Sequence, residues 1–314
     1  DPSSCSRFRL HIFGSARTGS DSVLRLFNFK NKLYQTGKRR HSANGSKIYS
    51  VTVYEPMHNI GGFMKSSLTS DQKKHQLLTC LYHCNCTKKT LPVMSLKWSI
   101  QRERSFPYDF KEAVGHKFVA YSDYNEVCKG DYDIIIKTVA PIPDTNALVN
   151  SPADWAYLAI VRDPRGTYLS KLTTNYIPTK APKFAIRSTC TAFRSILLHY
   201  HRLLEAGRRN AFLWYFERFV TYPSQVLEEA WNVTIGVEVP KPAWEILDQE
   251  KSFSIAQRNK SSCVIPKVLE WRTTFTKAGL QQQAWSSHCD DVFGALHIPR
   301  ADQMDLSPST LCSM

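Results

Sequence analysis

The chain has 314 residues, 42% of them hydrophobic, ample material for a buried core. No run approaches the roughly 20 apolar residues that cross a bilayer, and no internal repeat or low-complexity tract breaks what reads as one domain over 1–314. An excess of 41 Lys+Arg over 27 Asp+Glu gives +14 and favours a polyanionic partner, while the lack of a zinc finger or aromatic RNP pattern argues against nucleic acid.

The segment Phe8–Phe13 reads as a strand, Gly14 to Asp21 as a turn, and Ser22–Phe29 as a helix. A glycine- and serine-rich turn feeding a helix is an anion site, because free N–H groups converge there and the dipole adds positive potential. The spacing Gly14-x4-Gly19 is that of a nucleotide-triphosphate loop, yet Ser20-Asp21 stand where such a loop carries Lys-Ser/Thr. The cation is Arg17, inside the loop. Ser15, Ala16, Arg17, Thr18, Gly19, Ser20, Asp21 and Ser22 are therefore candidate ligands for a phosphate-like group. Lys38-Arg39-Arg40 and Arg102-Glu103-Arg104 are short and read as solvated faces.

Lys47–Tyr54 alternates as a strand, and Glu55 and His58 just beyond its end are candidate bases. Cys80-x3-Cys84-x-Cys86, with His75 and His83 nearby, fits no standard zinc spacing, and disulfides are the better reading. Nine cysteines and Asn-X-Ser/Thr sites at Asn44, Asn85, Asn232 and Asn259 point to the secretory pathway. Asp133–Val139 is a buried strand of β-branched residues whose Lys137 reads either as a cation to assist a transferring anionic group or as a surface lysine.

Ala156–Val161 is a further buried strand, Arg162 to Arg165 a turn, and Gly166–Leu172 a helix start. Arg162, Arg165 and Ser170 form a fork of donors for a second anion at a strand's carboxyl end. One loop for one phosphate and a distant Arg/Ser set for another suggest a nucleotide phosphorylated at both ends. Ser188–Gly207 is the clearest helix, Phe212–Phe216 a strand with core-facing aromatics, Pro223–Trp231 a helix, and Leu280–Leu296 the closing helix. Arg187 and Arg194 are weaker candidates for an acidic ligand, and Arg208-Arg209 sit where cations complement a helix dipole. Alternating strands and helices imply an α/β, P-loop-like three-layer fold with a mainly parallel sheet flanked by helices.

Taken in order, these motifs resemble the carbohydrate sulfotransferases of the Golgi. Arg17-Thr18-Gly19-Ser20 looks like that family's Arg-Ser-Gly-Ser loop, and Val161-Arg162-Asp163-Pro164-Arg165 like its Val-Arg-Asp-Pro-Arg. Glu55-Pro56, Gly130–Val139, Tyr215-Phe216-Glu217-Arg218 and Trp271-Arg272 follow in the family's order, so that roughly Phe8 to Pro299 is covered. The departures are Asp21 for a Ser or Thr, Leu24 for a small glycine, and Ala140 where relatives often carry Arg.

The resemblance implies a sulfotransferase fold and the donor 3′-phosphoadenosine 5′-phosphosulfate (PAPS), used without a metal. Arg17 would meet the leaving group, with Arg162 and Ser170 on the 3′-phosphate. It also implies Glu55 as base with His58 in reserve, and a disulfide from the cysteine cluster to Cys128. The acceptor would be a glycan, an anionic polysaccharide included, at the 6-hydroxyl of galactose, N-acetylglucosamine or N-acetylgalactosamine. The resemblance further implies a Golgi-lumenal, type II membrane protein whose anchor and stem precede this stretch, with a homodimer left open. Sulfation of tyrosine or of a small alcohol, and a catalytically silent sulfated-glycan binder, are the alternatives.

Overall fold

A computed structural model describes residues 8–15, 18–27, 50–54, 69–87, 121–130, 133–139, 142, 145–173, 182–249 and 282–298. Its centre is a five-stranded, wholly parallel sheet of β1 (Arg9–Gly14), β2 (Ser50–Tyr54), β3 (Asp133–Thr138), β4 (Trp155–Val161) and β5 (Ala211–Tyr215), in the order β2-β3-β1-β4-β5. Leu10 and Ile12 alternate with His11 and Phe13, so each face of β1 is apolar and must be covered.

One face carries α1 (Ser20–Phe27), whose Val23, Leu24, Leu26 and Phe27 pack on Leu10, Ile12, Ile135 and Leu158. Phe27 stacks on Trp231 with ring centroids 5.2 Å apart. The other face carries α2 (Ser70–His83), α3 (Tyr121–Lys129), α4 (Asn146–Val149), α5 (Pro164–Thr173) and α6 (Pro182–Glu205). Beyond β5 the chain forms α7 (Phe216–Thr221), α8 (Pro223–Thr234) and α9 (Lys241–Gln249) on the α1 face. The last described helix, α10 (Gln282–Ala295), returns to pack along α6. Three layers with helices on both faces agree with the expected architecture. Leu24 is buried in this core.

Several boundaries differ from expectation, each for a local reason. The α6 helix starts at Pro182, six residues before Ser188, as proline suits a first turn. Its end is as expected: Gly207 at φ +76 lets Gly207 N bond Leu204 O and Arg208 N bond Leu203 O. Arg208 does not cap that helix but donates to the carbonyls of Val149, Ser151 and Pro152, fastening the α4–β4 connection to the segment ahead of β5. Phe216 opens α7 instead of closing β5. The helix α2 has no counterpart in the sequence reading, although Thr69 and Gln72 form a reciprocal capping box at its start.

The cysteine cluster is a disulfide cluster. Cys80 pairs with Cys86 and Cys84 with Cys128, the latter tying α2 to α3 as the resemblance implies. Cys190–Cys289 joins α6 to α10 across 99 residues, which removes much freedom from the unfolded chain. Beneath the sheet His11 is wholly buried, sharing hydrogen bonds with the Tyr82 hydroxyl at 2.5 Å and the Thr138 hydroxyl at 3.0 Å. Burial, then the charge of His199, lowers its pKa to about 3, so it is a neutral part of the core. Among the described residues, no helix is long and apolar enough to cross a membrane, and no three His, Cys, Asp or Glu side chains gather to hold a metal.

Candidate functional site

The chain leaving β1 turns to α1 on one face, whereas the chain leaving β4 turns to α5 on the other. Strands β1 and β4 are neighbours, with Gly14 opposite Ile160. Divergence of the exits from two neighbouring strands is the arrangement in which an open parallel sheet offers a ligand crevice at its carboxyl edge. Gly14 is needed there: a Cβ would stand 3.0 Å from Ile160 O and 3.1 Å from Thr18 Oγ1.

On one side of the crevice lies the β1–α1 turn. Thr18 Oγ1 donates to Ser15 O at 2.7 Å and closes the turn. Gly19 has φ +86, and a Cβ on it would lie 2.3 Å from the Phe216 ring. Only glycine meets both demands at once. The first intrahelical bond runs from Val23 N to Gly19 O at 3.1 Å, so the amides of Ser20, Asp21 and Ser22 precede the ladder and point out of the helix N-terminus. From α5, across the crevice, Lys171 brings Nζ to 3.4 Å from Ser15 Oγ. Burial lowers its pKa to about 8, because an ammonium away from water is poorly solvated. An anion at the loop would restore what burial took from it.

On the other side lies the β4–α5 turn. Arg162, its side chain 11% exposed, stands over the Phe216 ring at 5.2 Å, with Nε 3.6 Å from Glu217 Oε1. That is an ion pair too long to be a hydrogen bond. Both Glu217 oxygens accept from Asp163 N at 3.1 Å. Burial pushes the Glu217 carboxyl up to about 7; Arg162 pulls it down, Asp163 pushes it up, and backbone N–H groups pull it down. Ser170, partly exposed, lies two turns along α5 from the Arg162 turn and directly before Lys171.

Arg165 departs from its expected place in the donor fork. Its Nε and one terminal nitrogen donate to the two Asp163 oxygens at 2.9 and 2.7 Å, and its side chain is 0% exposed. The guanidinium also lies 4.8 Å from the centre of the Phe293 ring. A bidentate pair of this kind holds the turn's shape and does not face solvent. Lys137, fully buried near the end of β3, lies opposite Ile12 and Tyr54 on the α1 side of the sheet. Arg187 is exposed on α6, and Arg194 is committed to Asp291 and the His288 carbonyl at the α6–α10 seam. Ala16, Arg17, Glu55 and His58 lie outside the described residues, and of Asp21 and Tyr54 only the backbone is described.

The carboxyl edge thus brings together Ser15, Thr18, Gly19 and Ser20 with the Arg162 turn. It adds three residues that sequence reasoning did not assign to the site: Lys171, Phe216 and Glu217. Phe216 continued the alternating aromatics of β5 and so read as core. The one available signal was Glu217, an acid directly after a strand of aromatics.

No protein-family model matches the chain, and no curated protein matches it. Among solved structures it is similar to the sulfotransferase domain from the Synechococcus PCC 7002 olefin synthase, at 15% identity and TM-score 0.42 over 77% of this chain and 78% of that one. It is also similar to the sulfotransferase domain from the curacin biosynthetic pathway, at 12% identity and TM-score 0.39 over 76% of this chain and 77% of that one.

Proposed function

We propose that this chain transfers a sulfuryl group from PAPS to a hydroxyl of a glycan. The observation that carries this reading is the pair of turns, one with helix N-terminal amides at Gly19–Ser20 and one with the Arg162 guanidinium, at the carboxyl ends of two neighbouring strands. A nucleotide phosphorylated at both ends has charge to offer to each. The ordered motifs from Arg17 to Trp271-Arg272 supply the second support, independent of the geometry.

In this reading the amides at the start of α1, with Arg17 and Lys171, hold the 5′-phosphosulfate, while Arg162 and Ser170 hold the 3′-phosphate. The acceptor oxygen forms a bond to sulfur as the bond from sulfur to the 5′-phosphate oxygen breaks. That electron pair stays on the leaving phosphate, and the hydroxyl proton passes to Glu55, or to His58 in its place. Charge grows on oxygens facing fixed cations, so positioning and electrostatics supply the rate enhancement. Lys137 adds a buried cation on the neighbouring strand.

The acceptor class rests on the resemblance together with the +14 charge, which suits an anionic polysaccharide. A 6-hydroxyl of galactose, N-acetylglucosamine or N-acetylgalactosamine is the proposed target. A Golgi-lumenal setting and a type II anchor belong to the same proposal. Calorimetry with 3′-phosphoadenosine 5′-phosphate against 5′-AMP and ATP tests the donor. Binding that requires the 3′-phosphate and is lost in Arg162→Ala supports the reading, whereas preference for ATP overturns it. With acceptor added, Arg17→Ala abolishes transfer, and Glu55→Gln slows turnover while donor binding survives.

A further inference from the structure

The first two residues of α7 touch both anion-binding turns, although they belong to neither. The Phe216 ring fills the space a side chain at Gly19 would need, with Cε2 and Cδ2 only 2.3 and 2.7 Å from where a Cβ would be. The same ring lies 5.2 Å beneath the Arg162 guanidinium. Its chain neighbour Glu217 receives Asp163 N on both oxygens and faces Arg162 Nε. Both residues are nearly inaccessible, at 4% and 5% exposure, so a ligand in the crevice meets the turns they support, not their side chains.

A dipeptide at the end of the edge strand β5 therefore joins a loop from β1 to a turn from β4. We infer that Phe216 and Glu217 are positioning residues that fix the spacing of the two anion-binding turns, so that a nucleotide with phosphates at both ends is recognised as one rigid unit. The inference rests on the donor reading proposed above. Its physical basis is preorganisation: if the spacing is held before binding, the second phosphate adds its contacts without a further ordering cost. If the spacing is loose, each phosphate binds as though the other were absent. Aromatic–guanidinium contact restricts Arg162 to one plane, and the carboxylate selects its direction within that plane.

The test is calorimetry with three ligands, 3′-phosphoadenosine 5′-phosphate, 5′-AMP and 3′-AMP, on the wild type, Phe216→Leu, Phe216→Tyr and Glu217→Gln. Phe216→Leu and Glu217→Gln are expected to lose about tenfold or more in affinity for the bisphosphate while changing each monophosphate by less than about threefold. Phe216→Tyr keeps the ring and is expected to keep the wild-type preference. A merely structural role would lower the melting temperature yet leave the ratio of bisphosphate to monophosphate affinity unchanged, and that result overturns the inference. Should Phe216→Leu not fold, the near-isosteric Glu217→Gln decides alone. A wild type with no preference for the bisphosphate removes the donor reading itself. A wild type that has the preference, with variants that retain it, removes only the coupling.

Discussion

Glu217 offers the sharpest quantitative test of the site's electrostatics. Its carboxyl is raised from 4.5 to about 7 because burial removes its water more completely than Arg162 and the Asp163 amide replace it. The folded state therefore binds a proton more tightly than the unfolded chain does. A carboxyl with a raised folded pKa contributes its full stability at pH below about 4.5, and loses it as pH rises through about 7. One unit is worth about 1.4 kcal/mol, so this group makes the protein about 3 kcal/mol less stable at pH 8 than at pH 4.5. Urea unfolding of wild type and Glu217→Gln at intervals across that range isolates the effect, since the other titrating groups cancel in the difference. Glutamine still accepts a hydrogen bond from Asp163 N but cannot ionise. The wild type is expected to lose stability relative to the variant by about that amount, progressively between about pH 4.5 and about pH 7, and to level off above it. A difference that stays flat with pH, or that moves in the wild type's favour, would refute the assignment of burial as the dominant cause.

Lys171 carries the opposite sign. Its pKa is lowered to about 8, so donor binding by the wild type should weaken as pH rises past that value, while Lys171→Arg stays charged and keeps its affinity at pH 9. Titration of both with 3′-phosphoadenosine 5′-phosphate at pH 7 and 9 reads this directly. Gly19→Ala must both adopt φ +86 and displace the Phe216 ring; a stability loss of about 2 kcal/mol or more is expected, with donor binding lost in proportion, measured by urea midpoint and calorimetry. Replacing Cys190 and Cys289 together by Ala should cost about 2–5 kcal/mol of stability, read by urea unfolding, because the bridge joins α6 to α10 across 99 residues.

The sequence was enough for each of the five described strands. Trp155–Val161 is an unbroken apolar run and Ile134–Ile136 a β-branched one, and both are buried on both faces, as strands inside a parallel sheet are. Gly14 and Gly19, with Ser20 ahead of an apolar helix, marked the turn between β1 and α1 because backbone freedom is a local property. Helix α2 is hard to read from periodicity because Ser70 to His75 are all polar or charged. Its capping box and its buried Leu77, Leu78 and Leu81 were nonetheless in plain sequence.

What only the tertiary structure decided was the use of each charge. Arg162 and Arg165 stand three residues apart in one turn with identical chemistry. Yet one lies over Phe216 at the crevice and the other is sealed against Asp163. Lys171 reached the site across 156 residues, and Glu217 acquired a near-neutral pKa from its burial beside groups 54 and 55 positions away. A residue's helix or strand preference is set by its neighbours in sequence, so it could be read there. Desolvation and pairing depend on which distant atoms exclude water from it, and that follows from the packing of β1, β4 and α7 around a shared edge.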